Sequence, residues 1–471
     1  MKVRRQALKF AILVGVVAVL SAFLINAQVR SSFPRFPRFV FENSLSLGCT
    51  EDDTILVIAP HCDDEVFGAG GFIYDALKKG AKVYVAVMTN GEAFRLLFSR
   101  PSRVVELGYR RQTETLEALR VLGVPKENVF FLGYPDRGLA LLWHEYWFKD
   151  TPYLSRLTRR AENFYITSFK IGNPYCGESV VDDLEQILLL VRPTVILTAS
   201  PFDTHPDHWA TFNFTMYAIE RLRLQDPFFE NTLVFWYLVH WHFWPHGSLT
   251  GATVKLLPPR ELFVPTIRWQ FYFLSKETIF AKDRAVRKYR SQLGGGYPLS
   301  FVRANELFVE AHSPKIPTLS GEVVLDGCFD DWEGGMLFFS SPEARGSMAR
   351  RPSRFPPLSV ARDSESLYFA LPSLPFEGVT YTFHLYPITS LRDEETYLDV
   401  VVESTSRKTI TVSPNASCSS PPGVRYVFGK DGVEIAVPLS LIHGAPTIFF
   451  KMEISLKKRT VLETVWKILS F

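Results

Sequence analysis

At 471 residues the chain is longer than one ordinary domain, and with 47% hydrophobic residues it can bury sizeable cores. Its 52 basic and 49 acidic side chains leave a net charge of +3 without a concentrated basic stripe or a known recognition motif, so no nucleic-acid partner is expected. The five cysteines (Cys49, Cys62, Cys176, Cys328 and Cys418) lack CxxC spacing and define neither a structural zinc site nor a disulfide framework, although a bridge such as Cys328 to Cys418 is compatible with export.

The opening MKVRRQALK carries four positive side chains, and Phe10 to Ile25 is then uncharged and apolar. That run is near the lower limit of about 17 residues for a spanning helix. Two readings stand, a signal anchor and a cleaved signal peptide; Asn26-Ala27 makes a poor A-x-A cleavage site, which favours an anchor over residues 1–27. The basic flank predicts a single-pass protein with its bulk on the extracytoplasmic side. Arg30, Arg35 and Arg38 on the other flank leave a cytoplasm-facing orientation open. Residues 28–51 include FPRFPRF, a proline-interrupted tether.

Thr54 to Ala59 (TILVIA) is short, β-branched and uninterrupted, the pattern of a strand buried on both faces of a parallel sheet. Polar chemistry starts where it stops, in PHCDDE. Val180 to Arg192 reads as a helix and leads into a second such strand, Thr194 to Ala199 (TVILTA), followed by SPFDTHPDHWAT. Sites of open α/β sheets lie outside the carboxyl ends of strands, so the two loops are expected to meet. His61, Asp64 and His208 then offer the three ligands of a catalytic zinc, with a position left for water. Asp63 remains free to act as general base, and His205 to stabilise an oxyanion or protonate a leaving amine, oriented by Asp207 or Asp203. The plainer alternative is a solvated turn and a helix cap, because Asp favours helix N-termini. Two ligand sets after two buried strands tip the balance toward a metal.

These residues resemble the PIG-L / LmbE-like zinc deacetylases, whose pattern is a strand, PHxDDE-like residues and, much later, HPDH. The likeness runs from about Asp52 to Leu293 and includes VYVAVMTNGEAFR at Val83, YRRQTETLEALRVLGV at Tyr109, FLGYPDRGL at Phe131 and the closing KDRAVRKYRSQL at Lys282. It implies a Rossmann-like, mostly parallel sheet with flanking helices. It also implies one zinc per chain on His61, Asp64 and His208, Asp63 as base, His205 as electrostatic helper, and removal of the N-acetyl group from an acetamido sugar. Hydrolysis of a different amide and a non-catalytic glycan-binding scaffold are the alternatives. Cys62 replaces the usual proline and is read as a bystander facing the core, with a soft ligand competing for the metal as the alternative, while Asn90 stands where an acid is common and retains only a supporting hydrogen bond. Arg111 and Glu114 are expected to pair on a helix surface, with Glu114 buttressing the site loop as the alternative. Arg95 and Arg137 follow strand ends and either hold an anionic part of a substrate or are solvated.

Further on, LVFWYLVHWHFWPHG begins as a strand and becomes an aromatic loop with His240, His242 and His246. A second metal site is the less favoured reading there; a loop bordering the cleft is favoured. The deacetylase-like region is assigned to residues 52–314. From 315 to 471 short alternating runs predict an antiparallel β-sandwich. GEVVLDGCFDDWEG and a strand ending in LY resemble family-nine-like carbohydrate-binding and DOMON-type domains, implying a glycan ligand or only a positioning role. Trp332 either closes the sandwich core or faces a ligand, and core is favoured. The last residues, KKRTVLETVWKILSF, would present a broad apolar face if helical; a packed terminal element is the simpler reading and a membrane-surface helix the alternative.

Overall fold

The computed structural model describes residues 47–471 except 94–99, 246–250, 265, 295, 320, 322, 330–331, 333–336, 340–356, 373–377, 391–397, 405–409, 414–422, 443 and 458. The apolar segment Phe10 to Ile25, the proline-rich part of the tether, Arg95, His246 and Cys418 lie outside the described residues. Among the described residues no helix is long and apolar enough to cross a membrane.

The first half is an α/β unit. Strands β1 (Thr54–Ala59), β2 (Lys82–Thr89), β3 (Val129–Tyr134), β4 (Val195–Ala199) and β5 (Leu233–Tyr237) alternate with helices α1 (Asp64–Lys78), α2 (Pro101–Leu122), α3 (Leu139–His144), α4 (Gly177–Val191) and α5 (Pro206–Arg223). The sheet order is β3-β2-β1-β4-β5-β7-β6, with β6 (Trp269–Phe273) and β7 (Asn305–Glu310) added antiparallel and α6 (Lys276–Val286) between them. The five parallel strands are wound outward from β1 and β4, which are hydrogen-bonded neighbours. That neighbour pair is the topological switch point, where the loops leaving two adjacent strands diverge and open a crevice. Continuous apolar runs are what such strands require, and Ile55 to Ala59 and Val195 to Ala199 are all buried.

The second half contains antiparallel sheets. One has five strands: β14 (Arg425–Phe428), β15 (Val433–Pro438), β10 (Ser366–Leu371), β9 (Leu358–Arg362) and β8 (Leu337–Phe339). The other has β13 (Ile410–Ser413), β12 (Leu398–Ser404), β11 (Val379–Ile388), β16 (Thr447–Leu456) and β17 (Arg459–Glu463), with β18 (Lys467–Ser470) also paired to β16. Leu367 and Phe369 from the first sheet and Phe383 and Phe450 from the second share one buried cluster, so the sheets pack face to face. Trp332 is buried on the opposite side of the five-stranded sheet, and its indole N–H donates to Glu434 Oε1 at 2.6 Å.

The C-terminal segment is the packed element expected, but it is not helical. KKRTVLETVWKILSF forms β17, a short connection and β18 rather than a helix. Pairing with β16 hydrogen-bonds one edge of each strand, and that tertiary context overrides the helical spacing of its apolar residues.

Candidate metal centre

His61 leaves the carboxyl end of β1, and Asp64 opens α1 three residues later. Asp63 between them holds φ 155°, a conformation costly for an L-residue, which lets the chain turn from strand to helix within four residues. The Pro206 ring starts α5 directly after His205, and its first turn carries Asp207 and His208.

The two turns converge. His61 Nδ1 lies 3.1 Å from Asp64 Oδ2 and 3.1 Å from His208 Nε2, and His208 Nε2 lies 3.1 Å from Asp64 Oδ2. Three donor atoms thus form an equilateral triangle. Tetrahedral zinc at about 2.0–2.1 Å spaces its ligands roughly 3.3 Å apart, so this donor set fits zinc with little movement. Each imidazole also has a carboxylate on its far nitrogen: His208 Nδ1 is 3.0 Å from Asp203, and His61 Nε2 is 3.3 Å from Asp207 and 3.5 Å from Asp136. Such pairs fix tautomer and ring orientation in metal sites.

The electrostatics agree with a cation site. Burial alone would lower both imidazolium pKa values, but hydrogen bonds to Asp136, Asp207 and Asp64 hold His61 well above its ordinary value, and Asp203 and Asp64 bring His208 to about 9. A cluster of acids that retains protons on buried histidines would equally favour a divalent ion. Burial raises Asp63 to about 7 against the opposing Arg111 guanidinium, whose Nη2 is 2.9 Å away. His205 is kept well below its usual pKa by burial and by the neighbouring imidazoles. Its Nδ1 accepts the Asp207 backbone N–H at 3.3 Å, so the neutral ring carries its proton on Nε2.

Residues 56–219 match the PIG-L family, described as GlcNAc-PI de-N-acetylase. These residues are a PIG-L domain. The chain is 28% identical over 187 residues to a 1D-myo-inositol 2-acetamido-2-deoxy-alpha-D-glucopyranoside deacetylase of Mycobacterium sp. (strain KMS), covering 38% of this chain and 54% of that protein. It is also 28% identical over 190 residues to a protein of the same description from Mycolicibacterium gilvum (strain PYR-GCK), covering 39% and 60%. The chain thus spans little more than half the length of these relatives. Among solved structures, the N,N'-diacetylchitobiose deacetylase of Pyrococcus horikoshii aligns at 20% identity with a TM-score of 0.32, over 58% of this chain and 80% of that one.

Within the PIG-L domain several expectations need correction. Arg111 and Glu114 do not pair on the surface, because both are buried and turn to different partners. Arg111 donates to Gly91 O at 2.6 Å and Cys62 O at 2.8 Å besides contacting Asp63, whereas Glu114 accepts from the backbone N–H and hydroxyl of Ser291. Asp207 and Asp203 do not fix the His205 ring with their carboxylates; those serve His61 and His208. Asn90 is buried and accepts from Gln112 Nε2 at 2.8 Å. The Cys62 thiol is pushed well up by burial and lies 4.0 Å from Thr89 O, as befits a bystander. Arg137 is exposed, and its backbone N–H, not its side chain, reaches the site by donating to Asp207.

The sequence assigns no role to Asp136, Glu92 or Glu65, and for His240 the favoured expectation is an aromatic loop bordering the cleft, with a second metal site as the alternative. The His240 ring lies 4.6 Å from that of His208, and its backbone N–H donates to Asp203. Asp136 sits two residues beyond the end of β3, so the rule that led to His61 and His208 would have flagged it.

Proposed function

We propose that this chain is a zinc-dependent hydrolase that removes the N-acetyl group from an acetamido sugar in a glycan, glycolipid or glycoside. The observation that carries the reading is the 3.1 Å triangle of His61 Nδ1, Asp64 Oδ2 and His208 Nε2 at the switch point of the sheet. The PIG-L domain and the acetamido-sugar deacetylases similar to it support the same chemistry. His61, Asp64 and His208 would hold the metal. When bound, zinc supplies Lewis-acid polarisation of a carbonyl and acidifies water.

The remaining work falls to this chain's own side chains. Asp63, buried and held by Arg111, accepts a proton from water as the water oxygen bonds to the amide carbon. His205, neutral and protonated on Nε2, presents a donor to the carbonyl oxygen as negative charge builds there. The proton held by Asp63 then goes to the departing amine, giving acetate and the free amino sugar. Asp207 and Asp203 keep the two ligating imidazoles in one orientation throughout. We further propose an anchor in the N-terminal apolar segment, with the PIG-L domain on the extracytoplasmic side.

The test is acetate release from a panel of acetamido sugars, glycolipids and polymers, with metal content measured in parallel for the wild type and His208→Ala. Zinc-dependent release that disappears together with bound metal in the variant is the expected outcome. Bound zinc without release of acetate from any of them would move the assignment to a different amide, and a wild-type protein that binds no metal would refute it.

A further inference from the structure

The aromatic outer face of the six-stranded sheet, where a glycan-binding module could present stacking rings, is already occupied. On β11 and β16 the residues Phe383, Leu385, Phe450 and Met452 point into the core between the sheets. Alternation along the strands therefore turns His384 and Tyr386, paired across to Lys451 and Phe449, to the other side. They meet the PIG-L domain there. Trp143 on α3 is fully buried, with ring centroids 5.5 Å from Tyr386, 5.1 Å from Phe449 and 5.6 Å from Trp466. Its other sides pack against Phe214 and Tyr217 of α5 at 5.1 and 5.9 Å. Next to it, His144 Nδ1 is 3.0 Å from the Tyr386 hydroxyl.

Both helices at this seam lead to the metal centre. α3 is only six residues long and too short to hold its own geometry in water. Its C-terminal end is the Trp143-His144 pair gripped by the sheet. At its N-terminal end the backbone N–H groups of Arg137 and Leu139 donate to the two oxygens of Asp207 at 2.5 and 3.0 Å, and that carboxylate contacts His61 Nε2. α5 carries Asp207 and His208 in its first turn and Phe214 and Tyr217 further along.

We infer that the C-terminal sheets are a positioning clamp for the metal centre: Tyr386, Phe449 and Trp466 fix α3, α3 fixes the Asp207 carboxylate, and Asp207 fixes the orientation of His61. The inference rests on the assignment of His61 as a metal ligand. It makes Trp466, on the connection between β17 and β18, a positioning residue for chemistry on another part of the fold.

The experiment uses the full chain and compares wild type, Trp466→Ala and Trp466→Phe. Amide hydrogen exchange in the segment 137–139 is measured without metal, and cobalt(II) uptake is titrated by its absorption spectrum. In Trp466→Ala the segment should exchange about tenfold faster while β1 and β2 keep their protection. Cobalt affinity should fall on the order of tenfold, the usual effect of disturbing groups behind a ligand. Trp466→Phe should restore both. Unchanged exchange at 137–139 in Trp466→Ala would overturn the clamp. Were that variant to lose protection in β1 and β2 as well, Tyr386→Phe, which removes only the hydroxyl facing His144, decides by the same readout. A wild-type protein that takes up no cobalt would refute the metal assignment, and the exchange measurement would still decide whether the sheets fix α3.

Discussion

Asp63 has two properties that its neighbours lack: a backbone at φ 155° and a carboxylate paired with a guanidinium instead of an imidazole. The 3.1 Å triangle is formed without it. Asp63→Asn should therefore keep its metal in the proposed site, because Asn preserves the side-chain shape and adds no steric demand to the backbone at that position. In the proposed mechanism this removes the proton acceptor, so acetate release should drop by about 10²- to 10⁴-fold, read beside zinc content in the same preparation. Full activity would remove Asp63 from the base role. Gly91 shows how tightly this corner is built: its φ is +64°, and a Cβ there would come within 2.0 Å of Arg111 Nη1. The convergence of His61, Asp64 and His208 was legible in the sequence because a local i, i+3 spacing and two strand ends announce it. The carboxylate partners were not, because Asp203 and Asp207 lie in the same loop as His205, and only the tertiary fold decides which imidazole each one meets.

At the scale of elements, α1 is the support for Asp63 and Asp64, and a buried ion pair wedges into its middle. Lys282 Nζ donates to Phe67 O at 2.9 Å and to Glu306 Oε1 at 2.6 Å, while Glu306 accepts from the N–H groups of Gly71 and Phe72 at 2.7 and 2.8 Å. Burial lowers the Lys282 pKa and raises that of Glu306, so each charge persists only because the other is beside it. Lys282→Met leaves Glu306 alone in the interior and should cost about 3–5 kcal/mol, measured by denaturant unfolding. The double variant Lys282→Met, Glu306→Gln should recover part of that loss, since no unpaired charge remains. Strict additivity of the two single effects would show that the pair is not coupled. The sequence marked Lys282 as the beginning of a closing helix, whereas α6 spans Lys276–Val286 and gives way to turns. Nothing local to the sequence announces its partner on β7, because the pair forms only when an antiparallel strand is added beside the parallel sheet.

For the whole molecule, the parallel sheet and the antiparallel sheets were both legible as periodicities, continuous apolar runs in one case and alternation in the other. Their mode of association was not, because Trp143 and Trp466 carry no pattern that distinguishes an interior seam from a carbohydrate platform or a membrane-facing helix. The structure makes the seam aromatic, and the chain end is sewn across it. Ile316 N–H donates to Ser470 O at 2.7 Å, Ser470 N–H to Pro314 O at 3.1 Å, and the Ser313 hydroxyl to Glu220 Oε1 at 3.2 Å. A fully buried tryptophan shared by both halves means that neither half can unfold without exposing the other's apolar surface. The described part should accordingly melt in one calorimetric transition with matching van't Hoff and calorimetric enthalpies, despite a length at which domains often melt separately. Trp143→Ala removes the shared ring at a cost of about 3–5 kcal/mol and should resolve that transition into two, the antiparallel sheets separating from the PIG-L domain. Two transitions in the wild type, or a Trp143→Ala protein that still melts as one unit, would show that the seam does not couple the halves.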